Sequence, residues 1–147
     1  MGQKKLEDLL LYIAKQAGYS DAREDPEGQK LVVSVPIKDT ARSQLVFVKT
    51  KDTKLVDHDV VTFYAYCLTP GSGAELQKNQ DLIHLLIQNW EMPYGKYALI
   101  SDQGQTRLAI CCDQLLDTLD PEEFDIAVRY VSEYADRFEE GLSLIHI

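Results

Sequence analysis

The sequence predicts a single α+β domain spanning residues 1–147, in the order α-β-β-β-α-β-β-α, with one antiparallel sheet that carries its helices on one face. Three observations predict it. The chain has 147 residues, enough for one core, whereas two independent domains would each be of marginal size. Apolar residues recur at helical spacing near both ends, while β-branched runs dominate the middle. Short polar turns join the strand candidates pairwise, as antiparallel hairpins require.

The first helix is read over residues 4–17, where Leu6, Leu9, Leu10, Ile13 and Ala17 share one face and Gly18 supplies the stop. Residues 19–29 (YSDAREDPEGQ) are polar and turn-rich and read as a loop. Strands follow at 31–37 (LVVSVPI) and 44–50 (QLVFVKT), with Pro36 confined to a sheet edge or a strand end because it cannot donate a ladder hydrogen bond. The longest strand candidate is 60–68 (VVTFYAYCL). Its alternation puts Val61, Phe63, Ala65 and Cys67 beneath the helices and Thr62, Tyr64, Tyr66 and Leu68 on a half-wet face.

Pro70-Gly71-Ser72-Gly73 breaks the pattern before a second helix over residues 74–90, which Pro93 ends. A second hairpin occupies 95–100 and 106–112. The last helix has the clearest start signal, with Asp120 as N-cap, Pro121 at the first helical position and Glu123 closing a capping box. Its core face is Phe124, Ala127, Val128, Val131, Tyr134, Ala135 and Phe138, with Leu142 as a further candidate. The apolar end, residues 142–147 (LSLIHI), either extends this helix or lies against a neighbouring surface.

Composition narrows the function. The net charge is −9, which argues against sequence-independent binding to nucleic acid or an anionic membrane, because both begin with phosphate neutralisation. Residues 113–140 hold ten acids against Arg129 and Arg137, so the remaining chain is close to neutral. No apolar run is long enough to span a membrane and the N-terminus has no signal-like apolar stretch, so the expectation is a cytoplasmic protein. Cys67, Cys111 and Cys112 form no CxxC pair, and neither HExxH nor a zinc-type Cys/His spacing occurs. GxSxG, a P-loop and GxGxxG are also missing, and Gly71-Ser72-Gly73 lacks the lysine of a phosphate cradle. His58, His84 and His146 have no partner recognisable in the sequence. The expectation is therefore a protein without catalytic residues, cofactor or metal.

Spare apolar surface carries the positive signal. On the second helix Leu76, Ile83, Leu86, Ile87 and Trp90 form what reads as the core stripe, while Leu82 and Leu85 fall off it and suggest a second contact such as a dimer interface. Leu11 and Tyr12 on the first helix and Ile126 on the last are similarly off-stripe. Tyr64, Tyr66 and Tyr97 suggest an amphipathic platform for an extended partner.

The element order, in a small acidic chain whose closing helix opens Leu119-Asp120-Pro121-Glu122-Glu123-Phe124, resembles the type III secretion chaperone-like fold and, within it, the YbjN family of bacterial proteins. The resemblance covers residues 4–140. It implies a cytoplasmic non-enzyme that forms a homodimer and binds other polypeptides. In secretion chaperones of this fold the second helix and the next strand build the dimer, which by position implies Leu82, Leu85, Leu86 and Trp90 with Tyr97 and Leu99. Helix 1 and the exposed sheet receive the partner chain, which implies Leu11, Tyr12, Tyr64 and Tyr66. The leading expectation is a homodimeric protein- or peptide-binding module that binds neither nucleic acid nor membrane. The alternatives are a small-ligand-sensing domain and a profilin- or roadblock-like regulatory scaffold.

Overall fold

A computed structural model describes residues 3–25, 30–38, 40–67, 79–102 and 104–145. Its elements are α1 (Gln3–Gln16), β1 (Arg23–Asp25), β2 (Lys30–Pro36), β3 (Ser43–Thr50), β4 (Val60–Tyr66), α2 (Asn79–Glu91), β5 (Lys96–Asp102), β6 (Gln105–Leu115), a 3-10 turn (Leu116–Thr118) and α3 (Pro121–Ile145). The fold is α+β. All six strands form one open antiparallel sheet in the order β1-β2-β3-β4-β6-β5. The Gly-Ser-Gly stretch, Leu68, Leu76 and His146 lie outside the described residues.

Local chemistry fixes the ends of the elements. At the close of α1 the Tyr19 amide bonds to the Ala14 carbonyl at 3.0 Å and the Gly18 amide to that of Lys15 at 3.1 Å. Gly18 itself has φ 102°, so this is a Schellman cap that only glycine enters without strain. At the start of α3 the Glu123 amide bonds to Asp120 Oδ1 at 2.7 Å, and Glu123 Oε1 accepts from the Asp120 amide at 3.2 Å, the reciprocal capping box expected from the sequence. The same helix continues to Ile145, so residues 142–145 extend it. Pro36 is the last residue of β2, where no further ladder bond is needed.

The core lies between one sheet face and the pair α1 and α3. Val61, Phe63, Ala65 and Cys67 are all fully buried on that face, as the alternation requires. Phe124 sits edge-on to Phe63 with ring centroids 5.2 Å apart, and Val128, Val131 and Ala135 continue the contact down α3. From α1 come Leu6, Leu10, Ile13 and Ala14.

Two elements differ from expectation. The segment read as a loop contains β1, whose three charged or polar residues carry no strand signal; it forms because Ala22 enters the core and delivers the next residues against β2, where Arg23 lies opposite Val32. β6 continues to Leu115 rather than stopping near Cys112, because Val60 and Val61 of β4 pair with Leu115 and Gln114.

A third difference, in packing, concerns α2. Its sequence stripe was expected to face the core, yet Leu85 is the side chain that does, at 7% exposure, while Ile83, Leu86, Ile87 and Trp90 point outward. The helix touches the sheet at β5, the edge strand, and so has no sheet surface beneath it on which to lay a full stripe.

Candidate interaction surface

The junction between α2 and β5 is polar and closely fitted. Asn89 accepts from the Tyr97 amide through Oδ1 at 2.8 Å and donates to the Tyr97 carbonyl through Nδ2 at 3.2 Å, occupying the outer edge of β5 much as another strand would. Lys96 Nζ donates to the carbonyls of Asn89 at 2.8 Å and Met92 at 3.0 Å, satisfying acceptors that the end of α2 leaves open and placing a cation at the negative end of its dipole. Between them Gly95 passes so close to β6 that an added Cβ would stand 2.4 Å from the Cys111 carbonyl oxygen and 2.7 Å from Tyr130 Cε1. These contacts set the direction of α2 with little apolar burial.

What α2 then presents is unusual for the surface of a charged protein. Trp90 is 91% exposed, Leu86 68%, Ile87 61% and Ile83 55%, at the i, i+3, i+4, i+7 spacing of one helical face. Across residues 82–90 there is no Asp, Glu, Lys or Arg, in a chain that is 27% charged. Beside them on β5, Leu99 is 49% exposed. Tyr97 and Leu99 stand on the same side of the sheet, opposite Ile110 and Leu108 of β6. At about 150–200 Å² for a large apolar side chain, these exposed fractions leave roughly 500 Å² of apolar surface.

Among the described residues β5 is also the less protected edge. The opposite edge strand, β1, is short and charged, which blunts pairing with another chain. In an antiparallel ladder the outward amide and carbonyl recur on alternate residues. Asn89 covers those of Tyr97; those of Leu99 have no described backbone against them.

Of the residues implied as dimer contacts, Leu86, Trp90 and Leu99 lie on this surface. Leu85 does not: it is part of the core. Leu82 is half-buried, and Tyr97 packs its ring on Phe138 at 5.7 Å, where burial pushes its hydroxyl pKa up to about 12. Ile83 and Ile87, which read as core from the sequence, lie on this surface instead, and Asn89 carries no sequence signal. The charge-free run was legible as a signal, but which side of the helix it would expose depended on where β5 placed the helix.

The residues implied as partner contacts separate into two groups. Tyr12 is exposed on α1 and Leu11 packs partly against the core, both on the helical side of the sheet. Tyr64 and Tyr66 stand on the opposite face, away from α1 and α3 among the described residues, so the four do not form one surface. There Tyr64 is buried against Phe47, with centroids 5.3 Å apart, and Tyr66 meets both rings edge-on. The Arg107 guanidinium lies 3.4 Å from the centre of the Tyr66 ring and the Lys30 ammonium 4.9 Å from that of Phe47. This face is an aromatic platform topped by cations.

His58 Nδ1 is 2.7 Å from Asp117 Oδ2 on the exposed rim, a pairing of residues far apart in the chain. Burial pushes the Cys67 thiol up to about 12 and raises Cys111 and Cys112 as well, the opposite of an activated nucleophile. Among the described residues no three His, Cys, Asp or Glu side chains cluster as a metal site, and no helix is long and apolar enough to cross a membrane.

No protein-family model matches the chain, and no curated protein matches its sequence.

Proposed function

We propose that the chain is a non-catalytic homodimeric interaction module, paired through α2 and the edge of β5, whose open sheet face receives a polypeptide partner. One observation carries the reading: α2 is fixed by the Asn89 and Lys96 contacts in an orientation that exposes Ile83, Leu86, Ile87 and Trp90 together. Contiguous apolar surface of this size on an isolated chain marks a contact site. Two copies related by a two-fold axis would hide about 1,000 Å² of such surface between them, the lower bound for a stable interface. Self-pairing is favoured over a foreign partner at this site because residues 82–90 hold no charge, so the net charge of −9 is not concentrated where two copies meet.

The polypeptide partner is assigned to the other side of the sheet. The part-exposed rings of Phe47 and Tyr66, backed by the buried Tyr64 and with Arg107 across Tyr66, offer area and donors in one place. That surface stays free when two copies join through α2.

Light scattering on the parent and on a Leu86→Glu/Trp90→Glu variant tests the pairing. The expected result is a dimeric parent and a folded, monomeric variant. A monomeric parent across the accessible concentration range would reject the dimer. For the open face, a peptide-array screen of the dimer against Arg107→Gln is expected to show ligands that the variant loses; retention of all of them would move the partner site elsewhere.

A further inference from the structure

A second feature of the molecule is unrelated to α2. The β2–β3 hairpin overhangs the middle of α3 and leaves a cleft of about 680 Å³ between them, within the range of small-molecule sites. Its apolar wall is Val35, Pro36 and Ile37. Its polar side comes from both elements: Lys38 and Arg42 from the hairpin, Arg129 and Arg137 from α3.

The placement of the arginines is the informative point. Residues 113–140 carry ten acids and two arginines, and both arginines line this cleft. Three of the five arginines in the chain meet here. Two of them are held from behind. Arg42 Nη2 is 3.0 Å from the buried Asp136 carboxylate, and Arg129 Nη2 is 2.9 Å from Asp125, whose other contact is the Tyr19 hydroxyl, donating at 2.6 Å. Arg129, anchored through one nitrogen, keeps its planar fork oriented, which lowers the entropy lost when it binds an oxyanion.

Among the described residues the lining itself sets four cations, Lys38, Arg42, Arg129 and Arg137, against two carboxylates, Glu133 and Asp136, while Asp125 stands behind Arg129 and Glu139 close to Arg42. The hydroxyls of Thr40 and Ser132 are already donated, to the Ile37 carbonyl at 2.9 Å and the Arg129 carbonyl at 3.1 Å, so the cations supply the donors of the cleft. An apolar wall facing anchored guanidinium groups suits a small organic anion, with its carboxylate or phosphate toward α3 and its carbon body against the hairpin.

We infer that the cleft between the β2–β3 hairpin and α3 is a binding site for a small organic anion of the carboxylate or phosphate class. The site lies apart from α2 and does not rest on the dimer reading. Inorganic phosphate and citrate are the probes, titrated into the ¹⁵N-labelled protein at constant ionic strength set with chloride. The expected result is saturable shift changes confined to residues 35–42 and 129–137, stronger for citrate if a carbon body contributes. The affinity is expected to fall about tenfold or more in Arg129→Gln/Arg137→Gln and in Lys38→Gln, whose side chains are exposed, and to be unchanged in Arg23→Gln on β1. Phosphate binding alone would assign the site to a phosphate, and citrate alone to a carboxylate. Shifts that never saturate, that spread over surface cations, or that persist at equal affinity in the cleft variants would overturn the proposal.

Discussion

Leu85 and Leu86 are adjacent in sequence and opposite in environment, so a paired substitution tests how α2 is oriented. Leu85 is 7% exposed and in contact with the core; Leu86 is 68% exposed. Truncating a buried leucine to alanine removes its transfer energy and leaves a cavity, together about 2–4 kcal/mol. For Leu86 only the covered third of the side chain is at stake within one copy, roughly 0.5–1 kcal/mol if full burial is worth 1.5–3. Leu85→Ala is therefore expected to lower the melting temperature by about 6–12 °C in a domain of this size, and Leu86→Ala by a small fraction of that. The assay is urea unfolding followed by circular dichroism at two protein concentrations about a hundredfold apart, because dimer contacts contribute only where dimer is populated. At the lower concentration Leu85→Ala should be the damaging change. At the higher one Leu86→Ala should also lose the concentration-dependent part of the stability. If the two cost the same at low concentration, or if Leu86→Ala costs more, α2 is rotated and the stripe Ile83, Leu86, Ile87 and Trp90 faces the core after all.

Three further outcomes follow from local geometry. Gly95→Ala forces a methyl group onto the Cys111 carbonyl and the Tyr130 ring, so calorimetry should show a loss of about 2 kcal/mol or more, with the edge of β5 loosened first in hydrogen exchange. Val56 is a β-branched residue at φ 57° in the turn that joins Leu55 to His58, and Val56→Asn is expected to stabilise the fold by about 1 kcal/mol because asparagine tolerates that backbone; no gain in unfolding free energy would refute the strain. Burial raises the Glu139 carboxyl above its ordinary range, with Asp136 adding to the shift and the Gln44 and Arg42 contacts opposing it. The native state therefore binds this proton more readily than the unfolded chain, and the group's contribution to stability grows as pH falls through the folded value toward the ordinary carboxylate range. Glu139→Gln should abolish that component of the pH dependence, and an unchanged profile by chemical denaturation would show that the raised value is wrong.

Element type and order were written locally. The helical repeat of Leu6, Leu10 and Ile13, the alternation of Val61, Phe63 and Ala65, and the Asp120 to Glu123 cap each rest on contacts between residues a few positions apart or on one face, and each is realised in the structure. What could not be read locally was any assignment that depended on where a neighbour stands. β1 is polar and short, and exists because β2 offers it an open edge. The face of α2 is the sharper case. By periodicity alone Ile83, Leu86, Ile87 and Trp90 are a better core stripe than Leu85, and the chain does not use them so, because the Asn89 bonds to Tyr97 and the close pass of Gly95 fix the helix at the sheet's edge.

The candidate sites divide in the same way. Leu86, Trp90 and Leu99 were legible as apolar residues of a helix and the strand after it, and they stand on one surface; Leu85 was placed on the wrong side of the same helix. Tyr64 and Tyr66 were legible as one sheet face, but not that Arg107 from β6 would lie across the second ring. The hairpin cleft was not legible at all, since Arg42 and Asp136 are far apart in the chain and meet only when β3 packs beside α3. The sequence by itself determined the class of fold, the caps and the alternating core, because those depend on backbone geometry and on burial repeated at short range. Tertiary structure alone decided which apolar face stays outside and which charges converge, because both depend on the position of elements that sequence spacing does not encode.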